Sequence, residues 1–213
     1  MKITKLGHCC IIIEEAGLRI LTDPGVWSDL FQADINNLSA VLITHEHSDH
    51  YDPEAIKNIV ANNPGVKFIS NTAVGKLLKQ IDIDCEIIEQ GQSTKVGDVT
   101  IEGFGEKHAE IYKDFGQVQN TGFFVNENLF YPGDAFTNPG KQVNTLALPV
   151  CGPWLHLRES IEYALALNPA NAFPVHDAML KFPGPFHMVP KKILEQESKI
   201  NFIIPELNKT FEI

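Results

Sequence analysis

Thr44-His45-Glu46-His47-Ser48-Asp49-His50 is the stretch whose reading decides the fold of this chain. Three histidines and an aspartate fall within six residues of it. The apolar run at residues 40–44 reads as a buried strand, so the cluster lies where a strand ends. Residues i and i+2 of an extended chain point the same way, and His45 and His47 can therefore share one metal ion. The chain then turns, and Asp49 and His50 can face a second. Imidazole and carboxylate donors suit zinc or a neighbouring first-row metal. Without a ligand, so many polar groups in one place would carry a desolvation cost with nothing to offset it.

Outward from the cluster, a helix begins at once. Asp52 is a good N-cap, Pro53 suits the first helical position, and Glu54 suits the positive end of the helix dipole. Ala55, Ile56, Ile59 and Val60 form an apolar face, and Asn62-Asn63-Pro64-Gly65 stops the helix. Upstream, residues 2–6, 9–14 and 18–21 read as strands, separated by turns at Glu15-Ala16-Gly17 and Asp23-Pro24-Gly25. Downstream, strands are expected at 66–70, 85–89, 99–103, 122–125, 128–131, 145–150 and 172–175. Helices are expected at 72–80, around Leu157, Ile161, Ala164 and Leu165, and at 190–198. The second half partly repeats the rhythm of the first, which points to mixed α/β architecture with helices covering sheets.

The 213 residues suffice to bury a sizeable core and are read as one domain, 1–213. A net charge of −10 argues against a broad nucleic-acid surface. Cys9, Cys10, Cys85 and Cys151 form no C-x-x-C pair, and all four read as buried free thiols. Cys9 and Cys10 would face opposite sides of a strand. No apolar run is long enough for a signal peptide or a membrane span, so the expected location is the cytoplasm, with no membrane partner.

The pattern His45-x-His47-x-Asp49-His50 resembles the H-x-H-x-D-H signature of the metallo-β-lactamase superfamily. Further landmarks recur in order along the chain. Leu21-Thr22-Asp23-Pro24-Gly25 looks like the family's early strand-end aspartate. Gly105-Glu106-Lys107-His108-Ala109 looks like the segment carrying a third histidine for the first metal. Tyr131-Pro132-Gly133-Asp134 looks like the segment of the bridging aspartate, and Pro174-Val175-His176-Asp177 like that of the last histidine. The resemblance implies a four-layer αββα sandwich with the site at one edge. It implies that His45, His47 and His108 hold metal 1, that Asp49, His50 and His176 hold metal 2, and that Asp134 bridges them. Zinc is the expected metal, with manganese and iron as alternatives. Two such ions ~3.5–4 Å apart share a water and lower its pKa to ~7, giving a hydroxide for hydrolysis. Asp49 would orient it, and Asp49 and Asp134 are the catalytic carboxylates. Asp23 is expected to hydrogen-bond a ligand imidazole, and the alternative is a plain turn residue. His8, in a Gly7-His8 pair resembling the start of lactonase-like members, is expected to line the pocket or to serve structure. His156 and His187 match no ligand segment.

Within the superfamily, the length and the Gly7-His8 start look most like the L-ascorbate-6-phosphate lactonase-like group. That implies a dinuclear hydrolase acting on a small lactone or phosphoester. A nucleic-acid phosphodiesterase and a diiron or persulfide-type oxidoreductase are the alternatives on the same fold. Substrate, native metal and any homo-oligomer are not legible in the residues.

Overall fold

The computed structural model describes residues 1–29 and 35–213. Among the described residues, two seven-stranded sheets face one another. The first contains β1 (Lys2–Lys5), β2 (Ile11–Glu15), β3 (Leu18–Thr22), β4 (Ala40–Ile43), β5 (Lys67–Ser70), β6 (Cys85–Ile87) and β14 (Thr210–Glu212). The second contains β7 (Ser93–Val96), β8 (Val99–Phe104), β9 (Gly122–Val125), β10 (Leu129–Tyr131), β11 (Thr145–Pro149), β12 (Asn171–Val175) and β13 (Asn201–Phe202). The orders are β14-β1-β2-β3-β4-β5-β6 and β13-β12-β11-β10-β9-β8-β7. Helices α1 (Pro53–Asn62) and α2 (Thr72–Gln80) follow β4 and β5, while α3 (Leu157–Leu167) and α4 (Gly184–Glu197) follow β11 and β12.

Alternation along β2 shows how the layers arise. Ile11 and Ile13 join the central core between the sheets, with Val99, Phe123, Val125 and Phe173 from the other side. Ile12, one residue out of step, faces outward and packs with Ile56 and Ile59 of α1 and Val74 and Leu78 of α2. The outer face of the second sheet is covered in the same way, by Ile161 and Ala164 of α3 and Leu194 of α4. The result is the expected αββα sandwich. Cys9 and Cys10 do take opposite sides. Cys85 and Cys151 are only half-buried, so the reading of four buried thiols holds for two. Among the described residues, no helix is long and apolar enough to cross a membrane.

Helix α1 starts as its sequence predicts, with Asp52 accepting the Glu54 N–H at 3.0 Å. The fourth helix departs from expectation. It begins at Gly184, well before Pro190, and carries that proline inside it. A proline costs nothing in the first turn of a helix but inside one removes a hydrogen bond and crowds the carbonyl four residues back, so the sequence reads Pro190 as a start. Strands β7, β13 and β14 were not expected. All lie at or next to a sheet edge, and β14 pairs with β1 across nearly the whole chain (Lys2 with Glu212).

Candidate metal centre

Every ligand candidate leaves a strand at the same edge of the sandwich. Asp23 follows β3, His45 to His50 follow β4, His108 follows β8, Asp134 follows β10 and His176 follows β12. Parallel pairing of β3 with β4, of β10 with β11 and of β11 with β12 brings these ends into line. Thr44 joins the sheets: its carbonyl accepts the Thr121 N–H at 3.0 Å and the Asn71 side chain at 2.8 Å.

The 45–50 segment closes into a tight turn in which the N–H groups of His50 and Tyr51 both bond to the His47 carbonyl, each at 2.9 Å. Gly25 lies against it. A Cβ at position 25 would sit 1.9 Å from the Asp49 carbonyl oxygen, so no side chain fits there.

Two groups of donors result. Ligand atoms of His45, His47 and His108 lie within 4.8 Å of one another, and so do those of His8, Asp49, His50 and His176. Asp134 reaches both. Its Oδ2 is 3.3 Å from His108 Nε2 and 3.9 Å from His45 Nε2, and 2.8 Å from His176 Nε2. Its Oδ1 is 3.2 Å from His50 Nε2. The Nε2 atoms of His45, His50 and His176 and Oδ1 of Asp134 are buried and lack any hydrogen-bond partner. Buried polar atoms are normally satisfied, so a converging set of orphans fits a cation held between them.

The outer nitrogens of three of these rings are accounted for. His50 Nδ1 is 2.7 Å from Asp23 Oδ2, and His108 Nδ1 is 2.6 Å from the Ala109 carbonyl. His45 Nδ1 is 3.0 Å from Thr44 Oγ1, whose own proton goes to Asp23 Oδ2 at 2.7 Å. Each partner is an acceptor, so each Nδ1 carries a proton, and in the neutral form of the ring Nε2 keeps its lone pair. Asp23 thus orients two histidines, and Tyr131 and the Thr44 N–H hold it in turn.

Burial and the nearby His50 keep His45 well below its ordinary pKa, so the ring stays neutral. Burial lowers His47 likewise. Burial opposes charge on Asp134, but His176 and His50 outweigh it and hold the carboxyl well below its usual range. The same contest at Asp49, with His8 and His50 on the other side, leaves it at about 2. Neutral His45 and His47 beside ionised Asp49 and Asp134 are the protonation states a metal needs, whereas at His50 burial opposes charge but the Asp134 carboxylate outweighs it and raises the ring well above its ordinary value.

Sequence reading missed several members of this site. Trp154 Nε1 donates to Asp134 Oδ2 at 2.9 Å. Buried Asn120 accepts the Asp134 N–H at 3.0 Å and donates to the Pro132 carbonyl at 3.0 Å, fixing the loop. Cys9 lies with His50 and Asp134. None sits in a motif; each arrives through tertiary packing. His156 is exposed at the start of α3, and His187 pairs with Asp177 at 2.8 Å.

Residues 2–176 match the model of the beta-lactamase superfamily domain. The chain belongs to the metallo-β-lactamase superfamily. Among curated proteins, it is 32% identical to Protein Rv0786c of Mycobacterium tuberculosis over 84% of this chain and 85% of that one. It is 31% identical to a UPF0173 metal-dependent hydrolase of Flavobacterium johnsoniae over 63% of this chain and 62% of that one. Among solved structures, the metallo hydrolase Igni18 of Ignicoccus hospitalis superposes with a TM-score of 0.75 at 20% identity, covering 100% of this chain and 98% of that one.

Proposed function

We propose that this metal-dependent hydrolase works with two divalent ions, the first held by His45, His47 and His108 and the second by Asp49, His50 and His176. The observation that carries the reading is the reach of Asp134, whose two oxygens lie within 2.8–3.9 Å of ring nitrogens from both groups. Two divalent ions held there would supply Lewis acidity and would lower the pKa of a bound water from ~15.7 to ~7. Asp134 supplies the negative charge that lets two cations sit side by side. The donor set suits zinc, and manganese or iron accept it too.

Asp49 is the member best placed to take a proton from an attacking water. Its side chain keeps 16% of its exposure, against 3% or less for Asp134, His45 and His50. Its oxygen Oδ2 lies 3.7 Å from His50 Nε2 and 3.6 Å from His176 Nε2. Asp23, through His50 and Thr44, fixes ring orientation rather than touching substrate.

A small lactone or phosphoester is the substrate class proposed. Exposed apolar side chains stand on segments that leave the same strand ends: Trp27 after β3, Tyr112 and Phe115 after His108, Phe182 after His176. Such a surface, on a chain of net charge −10, favours a compact organic substrate over a polyanion. The test is a hydrolysis screen on zinc- or manganese-reconstituted protein, covering lactones, phosphomonoesters, phosphodiesters and thioesters. Turnover of a lactone or phosphomonoester that a chelator abolishes is expected. Turnover that survives complete metal removal, or confined to nucleic-acid phosphodiesters, contradicts the reading.

A further inference from the structure

Four side chains crowd the second group: Asp49, His50, His176 and His8, which lies at the turn between β1 and β2. Position alone makes His8 look like a fourth ligand. Its ring is wholly buried, it packs 4.0 Å from the His176 ring, and its Nε2 has no hydrogen-bond partner of good geometry.

The hydrogen bond on the other nitrogen argues otherwise. His8 Nδ1 is 3.1 Å from the backbone nitrogen of Ala178, which can only donate. An imidazole nitrogen that accepts an N–H carries no proton itself. A ring bare on Nδ1 is the neutral form of imidazole. A neutral ring holds one proton, so it must be on Nε2, where it blocks the lone pair a metal would need. This is the reverse of His45, His50 and His108, whose Nδ1 atoms face acceptors and whose Nε2 atoms are free. The nearest acceptor to His8 Nε2 is Asp49 Oδ2, at 3.2 Å.

We propose that His8 is not a metal ligand but a positioning residue, whose Nε2–H, 3.2 Å from Asp49 Oδ2, attracts that carboxylate and holds it in place. The inference rests on the proposed two-metal reading for the role of Asp49. Its consequence is that the second ion would draw on Asp49, His50 and His176 with Asp134, one protein donor fewer than position alone suggests. The Ala178 contact sits in a built frame. The backbone carbonyl of His8 accepts the His176 N–H at 2.9 Å, and His176 has a φ of +61°. Non-glycine residues rarely adopt that left-handed conformation, so one residue grips the strained segment by main chain and side chain together.

The first test reads the tautomer directly. Long-range 1H–15N correlation on zinc-loaded, 15N-histidine-labelled protein, assigned by comparison with His8→Asn, should show His8 protonated on Nε2 and bare on Nδ1. The second compares zinc content and the cobalt-substituted visible spectrum of wild type and His8→Asn. Asparagine keeps an acceptor for the Ala178 N–H, so the fold is preserved, but it removes the Nε2 donor. The variant should hold as many ions as wild type, with a shifted cobalt spectrum because Asp49 has lost its partner. An Nδ1-protonated His8, or the loss of one ion per chain in His8→Asn, would overturn the proposal. Failure of the two-metal reading itself is distinguishable, because wild type would then fall short of two ions while the tautomer could still be read.

Discussion

At the scale of single residues, Asp134 and Gly25 make opposite kinds of demand on the site. Asp134 is needed for its charge. Asp134→Asn keeps the shape and, through the amide, little of the attraction, so two cations beside it would repel more strongly. We expect the variant to fold, to lose one ion or hold both loosely, and to lose at least ~100-fold in turnover, ~2.7 kcal/mol of transition-state stabilisation. Retention of both ions with near-parental turnover would refute the bridging role. Gly25 is needed for having no side chain. A Cβ would stand 1.9 Å from the Asp49 carbonyl oxygen and 2.4 Å from the His50 nitrogen. Gly25→Ala should therefore push the 49–50 backbone aside and weaken metal retention in chelator competition, while far-ultraviolet dichroism changes little. His45, His47, Asp49 and His50 were legible as ligand candidates because four such groups within six residues are costly without a ligand, whereas His108, Asp134 and His176 came only through the family resemblance. Trp154, Asn120 and Thr44 were not, since a tryptophan that donates to Asp134 reads like any core aromatic until the two loops meet.

At the scale of elements, the segment after β12 is tied to β1 by charge. Lys5 Nζ lies 2.5 and 2.6 Å from the two oxygens of Asp177, with only 3% of the lysine side chain exposed. His187 of α4 contacts the same carboxylate. Burial opposes charge on Asp177, but His187 and Lys5 hold its carboxyl below the ordinary value. A depressed carboxyl adds stability above its unfolded value, and that stability is lost as pH falls through the lower folded value. Lys5→Met should accordingly cost ~3–5 kcal/mol at neutral pH, because it strands a buried charge. The difference from wild type should shrink as pH drops below the usual carboxylate range. Urea unfolding of chelator-treated proteins across that range checks this, and a difference that stays constant would contradict it. Elements with strong local signals were read well, α1 from Asp52-Pro53 and α2 within its observed bounds. The start of β2 came late because the Cys9 carbonyl accepts from Thr22 and Tyr131 side chains instead of a strand partner. Pairing of β14 with β1 depends on residues more than two hundred positions apart, which no local pattern encodes.

At the scale of the whole molecule, two sheets of matching order press their inner faces together and bring the C-terminal ends of β3, β4, β10 and β12 to one edge. Helices covering sheets were foreseeable from the order of the elements, and the four-layer sandwich from the resemblance carried by the signature after β4. The mirrored strand orders were not, since they are set by tertiary pairing. A net charge of −10 leaves little to attract a polyanion at long range. Fluorescence anisotropy at physiological salt should register little binding of duplex DNA or bulk RNA, and tight binding that weakens steeply with added salt would count against a small-molecule hydrolase. The account stands most directly on the number of ions in the centre. Elemental analysis of zinc-reconstituted, desalted wild-type protein should give close to two zinc ions per chain, falling in His45→Ala and His50→Ala; one ion or none in the wild type would contradict it.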